Sequence, residues 1–79
     1  MKIEIRKSGV KDLHNISEQF KVELHNKILQ LTDFENMKDI EKLTNFQPAY
    51  RVRVGDYKIL FDVLDEAIVI GRILDKKDV

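Results

Sequence analysis

The apolar residues of this chain change period once, near residue 48, and that change limits what the chain can fold into. Val10, Leu13, Ile16, Phe20, Leu24, Ile28 and Leu31 recur every three or four positions, the spacing of one stripe along a helix. From residue 50 onward, Tyr50, Val52 and Val54 alternate with Arg51 and Arg53, the spacing of a strand. A helical first half and a stranded second half imply an α+β protein whose helices cover one face of an antiparallel sheet.

The helical stripe divides. Asn15-Ile16-Ser17 is weak helical sequence, and Ser17 can cap a second helix. The spacing predicts helices over residues 9–15 and 18–31, with Ser8 and Ser17 as N-caps. They form a hairpin whose apolar faces turn the same way. Residues 2–6 precede it as a short strand with Ile3 and Ile5 on one face. Residues 32–45 read as polar and irregular, with Phe34, Met37, Ile40 and Leu43 as packing anchors and room for one more helical turn. Pro48 marks a strand entrance, and Gly55-Asp56 and Asp65-Glu66 are turns. Strands are expected at residues 50–54, 57–64 and 67–74. The expected architecture is an N-terminal strand and a two-helix hairpin packed on a three-stranded antiparallel meander.

With 79 residues there is room for one domain, residues 1–79. The absence of cysteine excludes a disulfide framework and a Cys-ligated metal site. The start, MKIEIRKSG, lacks the apolar run of a signal peptide, and no stretch is long enough to span a bilayer. The expectation is a soluble cytoplasmic protein with no membrane partner. Fourteen basic and fourteen acidic residues balance. That excludes coating of nucleic acid by bulk charge and leaves only a local cluster to do such work.

One such cluster follows from strand parity. If Gly55-Asp56 closes a two-residue hairpin, Val54 faces Tyr57, Arg53 faces Lys58 and Arg51 faces Leu60. Arg51, Arg53 and Lys58 then share one face. Tyr50, Val52, Val54, Ile59, Phe61 and Val63 share the other and pack on the helices. Asp62 lies further along the basic face and offsets part of its charge. Cations directly opposite each other in a sheet repel, so nothing in fold formation asks for them. A bound anion does, and phosphate fits the arginine fork. The competing reading is that basic residues on a solvent face deter edge pairing. Pattern alone leaves both open.

Other chemistry is thin. His14 and His25 fall on the helices, away from the basic strands, and read as exposed helix residues. The carboxylates have no metal-ligand spacing, and no Gly-rich phosphate loop is present. Ser8 and Ser17 read as caps and not as nucleophiles. No metal or cofactor is expected.

The run Tyr50-Arg51-Val52-Arg53-Val54-Gly55-Asp56-Tyr57-Lys58-Ile59-Leu60-Phe61-Asp62-Val63 resembles the central block of the RelE/ParE toxins of bacterial and archaeal toxin–antitoxin pairs. There a Tyr-Arg-x-Arg-Val-Gly-Asp-Tyr-Arg run precedes an apolar strand. Lys11-Asp12-Leu13 is similar to the family's first helix, and Glu41-Lys42-Leu43 to its Lys-Leu step before the sheet.

The resemblance implies a RelE-like α+β fold and a ribosome-dependent endoribonuclease. Such an enzyme enters the A site, cuts mRNA, inhibits translation and is neutralised by a RelB-like antitoxin. Basic side chains hold the scissile phosphate and stabilise its developing charge while the mRNA's own 2′-OH attacks. On this implication Arg51, Arg53, Lys58 and Lys76 are the catalytic residues, and the same four with Lys77 bind substrate. The last run, Asp75-Lys76-Lys77-Asp78-Val79, differs from the family's His-Arg-Lys-Asp-Val-Tyr-like run. Asp75 stands at the histidine position and the tyrosine is missing, which implies a weakened, altered or lost nuclease. Asp75 is the substitute base the sequence offers. Two alternatives remain: a ParE-type inhibitor of DNA gyrase, and a decayed toxin that only binds its antitoxin. All three imply an antitoxin that wraps the chain and sets acidic residues against Arg51 and Arg53.

Overall fold

The computed structural model describes residues 1–78. The chain runs through β1 (Lys2–Ile5), α1 (Lys7–His14), α2 (Glu18–Gln30), a 3₁₀ segment (Leu31–Asn36), β2 (Ile40–Lys42), β3 (Tyr50–Val54), β4 (Tyr57–Leu64), β5 (Ala67–Asp75) and a 3₁₀ turn (Lys76–Asp78). The strands form one sheet in the order β1-β5-β4-β3-β2. β1 runs parallel to β5, and the other neighbours are antiparallel.

The core lies between α2 and one face of the sheet. Leu24, Ile28, Leu31 and Ile16 meet Val52, Val54, Ile59, Phe61, Ile68, Ile70 and Ile73, all buried. The α+β class and the helix-on-sheet layering agree with the sequence pattern. The meander is larger than expected, because the sheet has five strands and not three plus an isolated one. Ile40–Lys42 forms β2 in a stretch read as irregular. Three residues are too few to display a period, so pairing with β3 decides their conformation.

The helix caps differ from expectation. α1 begins at Lys7 with Arg6 at the N-cap, so Ser8 lies inside the helix, where its hydroxyl donates to the Gly71 carbonyl at 2.6 Å. Ser17 does hold the N-cap position of α2, without a side-chain capping bond. α2 ends at Gln30, one residue early, and the chain tightens into the 3₁₀ segment. Val10 and Phe20, at the edge of the apolar stripe, remain partly exposed.

α1 completes an edge of the sheet. β1 covers β5 only along Ala67–Ile70. Past that point α1 runs beside β5 and its side chains take over the pairing. Ser8 satisfies the Gly71 carbonyl, and Asp12 Oδ2 accepts the Ile73 N–H at 2.9 Å. The same carboxylate receives Arg72 Nε at 2.7 Å and Nη2 at 3.1 Å.

β5 also carries a bulge. Phe61 pairs with Ile70 and Leu60 with Arg72, so Gly71 is an extra residue with no partner on β4. Strict alternation from Ile68 and Ile70 would turn Arg72 into the core. The extra residue reverses the parity, leaving Arg72 exposed and Ile73 buried. A Cβ at position 71 would stand 3.1 Å from the Pro48 ring, so glycine admits the loop that crosses there.

Burial alone raises the Asp12 pKa. Hydrogen bonds from Arg72 and Ile73 and the charges of Arg72 and Lys11 outweigh it, and the net value is below the ordinary 3.8. A carboxyl depressed in the folded state adds stability that is present above its unfolded pKa and lost as pH falls through the folded one. Asp12→Ala, which strands the Ile73 N–H, should lower the unfolding free energy at pH 7 by about 1–3 kcal/mol. In urea titrations across pH, the deficit should shrink once pH drops below 3.8. A deficit that does not change with pH would show that the ionised carboxylate is not what holds α1 to β5.

Candidate functional site

The register of β3 and β4 builds the site. Val54 pairs with Tyr57, Arg53 with Lys58 and Arg51 with Leu60, as parity required. Gly55 makes the turn possible with a left-handed φ of 58°. Val52, Val54, Ile59 and Phe61 go to the core, so Arg51, Arg53 and Lys58 emerge together on the opposite face. β2 and β5 extend the face sideways. One row runs Glu41, Arg51, Leu60, Arg72 and the next runs Arg53, Lys58, Leu74.

Arg72 is the site-face cation that sequence reasoning missed. Its signal was the glycine before it, which marks a bulge only once the pairing is known.

The two rows differ in charge. In the first, Glu41 pairs with Arg51 and Asp12 with Arg72. In the second, Arg53 and Lys58 stand opposite each other with no ion pair among the described residues. Lys76 adjoins the turn end of this second row. Its N–H donates to the Asp56 carbonyl at 2.8 Å, and its Nζ lies 3.7 Å from Asp56 Oδ1. Lys77 lies exposed beyond it, with its N–H donated to Asp75 Oδ1 at 3.1 Å. The structure therefore gathers Arg51, Arg53 and Lys58 on one face, sets Lys76 at its end and ties the Lys77 backbone to Asp75.

Asp62 lies further along the basic face, as parity required, and there it holds a loop. It is 8% exposed, and its Oδ1 accepts the Ala49 N–H at 2.6 Å, anchoring the loop of residues 43–49. Both tyrosines lie on the core face. Tyr50 stacks on Phe61 with ring centres 5.4 Å apart, and Tyr57 meets Phe20 at 5.6 Å. Burial, then the charges of Asp75 and Asp56, push the Tyr57 hydroxyl above its ordinary value of 10.0. Asp75 pairs with Tyr57 and so shares its side of the sheet, across from Arg53 and Lys58. His14 and His25 line an apolar groove of 680 Å³ between β1, α1 and α2, with Ile3, Ile5, Val22 and Leu29. That groove is on the helix side of the molecule.

A face with unpaired Arg53 and Lys58, a rim lysine and displaceable Glu41 suits a polyanion with spaced phosphates. An exposed ion pair such as Arg51–Glu41 is worth about 0–1 kcal/mol, so a phosphate can replace the carboxylate.

Comparison with known proteins identifies relatives of the whole chain. The family model described as the ParE toxin of the type II toxin–antitoxin system parDE matches residues 3–79. The chain is 28% identical to the toxin RelE3 of Methanocaldococcus jannaschii over 83 aligned positions, covering 100% of this chain and 94% of that protein. In structure it is similar to a chain of the RelB–RelE antitoxin–toxin complex from Methanococcus jannaschii, at TM-score 0.78, 29% identity and coverage of 95% and 92%. A chain of the intact E. coli RelBE complex shares the fold at TM-score 0.78 with 12% identity, covering 94% of each chain.

The opposed cations predict a stability gain on charge reversal. Lys58→Glu should turn the repulsion with Arg53 into attraction and raise the unfolding free energy by about 0.2–1 kcal/mol at low salt. A urea midpoint that falls instead would mean Lys58 serves the fold.

Proposed function

The chain belongs to the ParE toxin family of type II toxin–antitoxin systems, and from that premise we propose that residues 1–79 form a single toxin domain that cleaves mRNA on the translating ribosome and is held inactive by a RelB-like antitoxin. The observation that carries the nuclease reading is the opposed Arg53–Lys58 pair, which no described acidic residue neutralises. Similarity to RelE toxins over nearly the whole chain supports it.

In the proposed reaction the 2′-OH of one nucleotide attacks the adjacent phosphorus. The O2′–P bond forms, the P–O5′ bond breaks, and the products are a 2′,3′-cyclic phosphate and a 5′-OH. Negative charge grows on the non-bridging oxygens, where Arg53 and Lys58, with Arg51 released from Glu41, stabilise it. Lys76 steadies the strand at the turn end. The 2′-OH proton must leave and the 5′ oxygen must gain one. No tyrosine or histidine among the described residues shares the basic face, so water carries these protons and the rate rests on charge stabilisation.

In a translating extract, primer extension should find cuts inside codons that appear only when ribosomes are present. Replacing Arg53 and Lys58 together by alanine should reduce cleavage by about 10²-fold or more, the scale of losing charge-stabilising donors, while the urea transition persists. Full cleavage by that double variant would refute the site. The position of both tyrosines on the core face favours a second reading, inhibition of gyrase. It predicts blocked supercoiling and no cuts.

The antitoxin is proposed to lay acidic residues against Arg51 and Arg53. Reversing both to glutamate should weaken the complex at least about tenfold, near 1.4 kcal/mol. Unchanged affinity in a titration would place the antitoxin elsewhere.

A further inference from the structure

The loop of residues 43–49 joins β2 to β3 and is pinned at three points. Leu43 N–H donates to the Ala49 carbonyl at 2.7 Å, and Ala49 N–H donates to Asp62 Oδ1 at 2.6 Å. The Pro48 ring closes on Gly71 at the bulge of β5. Asn45 takes a left-handed φ of 62° within it. Asp62 and Gly71 belong to strands beyond β3, so these contacts draw the loop back across the basic face. There Gln47 and Pro48 wall a cleft of 390 Å³ whose other sides are Arg6, Ser8, Asp62 and Arg72.

Phe46 precedes the two residues that wall this cleft and is 70% exposed. The other aromatic rings are in use: Phe34, Tyr50 and Phe61 pack on one another, and Phe20 packs on Tyr57. Phe46 has no ring partner among the described residues. Its ring stands in water on a loop whose next two residues wall the cleft, and Arg6 and Arg72 line that cleft together with Asp62. A flat aromatic ring next to cations is how proteins grip single-stranded nucleic acid, with a base on the ring and phosphates on the cations.

We propose that Phe46 is a stacking platform for one base of the RNA strand flanking the scissile phosphate, with that nucleotide's phosphate directed to the cleft beside Arg6 and Arg72. The inference rests on the ribonuclease reading and adds a path for the strand. The RNA runs from the Arg53–Lys58 pair, past Arg51, to the loop. Any base can stack, so Phe46 sets grip and not sequence.

The chain contains no tryptophan, so Phe46→Trp places a single indole at the loop. The probe is a short single-stranded RNA of mixed sequence with 2′-O-methyl groups, which cannot be cut. Titrating it into the full chain should quench the indole saturably. Phe46→Ala should weaken binding about tenfold, as loss of one base stack does, and Phe46→Tyr should restore it. Arg53→Ala/Lys58→Ala, followed with the same labelled RNA, separates the two claims. If it weakens binding while Phe46→Ala leaves it unchanged, the platform is overturned and the ribonuclease reading survives. If Phe46→Ala alone weakens binding, the platform stands and the basic pair is misassigned. Quenching by an antitoxin but not by RNA overturns the platform, as does the absence of RNA binding by the unsubstituted chain, while the ribosome-dependent reading stands or falls on the cleavage assay in the translating extract.

Discussion

One unpaired residue in β5, Gly71, sets the position of much around it. Its carbonyl accepts the Ser8 hydroxyl, which docks α1 on the sheet edge. Its missing side chain admits Pro48, which holds the loop across the basic face. Its place in the register sends Arg72 outward and Ile73 into the core. A regular strand would require a buried guanidinium at position 72, which costs several kcal/mol without a paired counter-ion. The bulge avoids that cost and gives Asp12 an N–H and a guanidinium to hold together.

The charge pattern of the basic face follows from the same framework. Arginines 51 and 72 each have a carboxylate from a neighbouring element, so their guanidinium groups are oriented before any ligand arrives. Arg53 and Lys58 have none among the described residues. The face thus combines two steered cations with two that repel each other, a gradient drawing an anion toward β3 and β4. Neutral total charge is compatible with this because most acidic residues lie elsewhere on the chain.

Much of this was legible in the residues. The apolar stripe located α2, and alternation around Gly55-Asp56 predicted the β3–β4 register residue by residue. The family resemblance rested on that same block, where local chemistry and tertiary structure agree. What was not legible depended on distant pairing. Ile40–Lys42 is a strand only because β3 lies beside it. Ser8 looked like a cap because its true acceptor is 63 residues away. The hold of Asp62 on the Ala49 N–H was not legible because that loop comes from another hairpin. Arg72 was hidden because a bulge cannot be read from one strand.

The order of the sheet also bears on how the core closes. β5 is an inner strand, yet it is the last of the described strands, and β1, the first, pairs with it from Lys2↔Ala67 onward. Ile68, Ile70 and Ile73 supply a large part of the core floor. During synthesis the helices therefore emerge before much of the surface they pack on, and closing the sheet requires contact between strands more than 60 residues apart. Such long-range closure is the slow step of folding. The β3–β4 hairpin that carries Arg51, Arg53 and Lys58 can pair by itself, whereas the core beneath it stays open until β5 arrives.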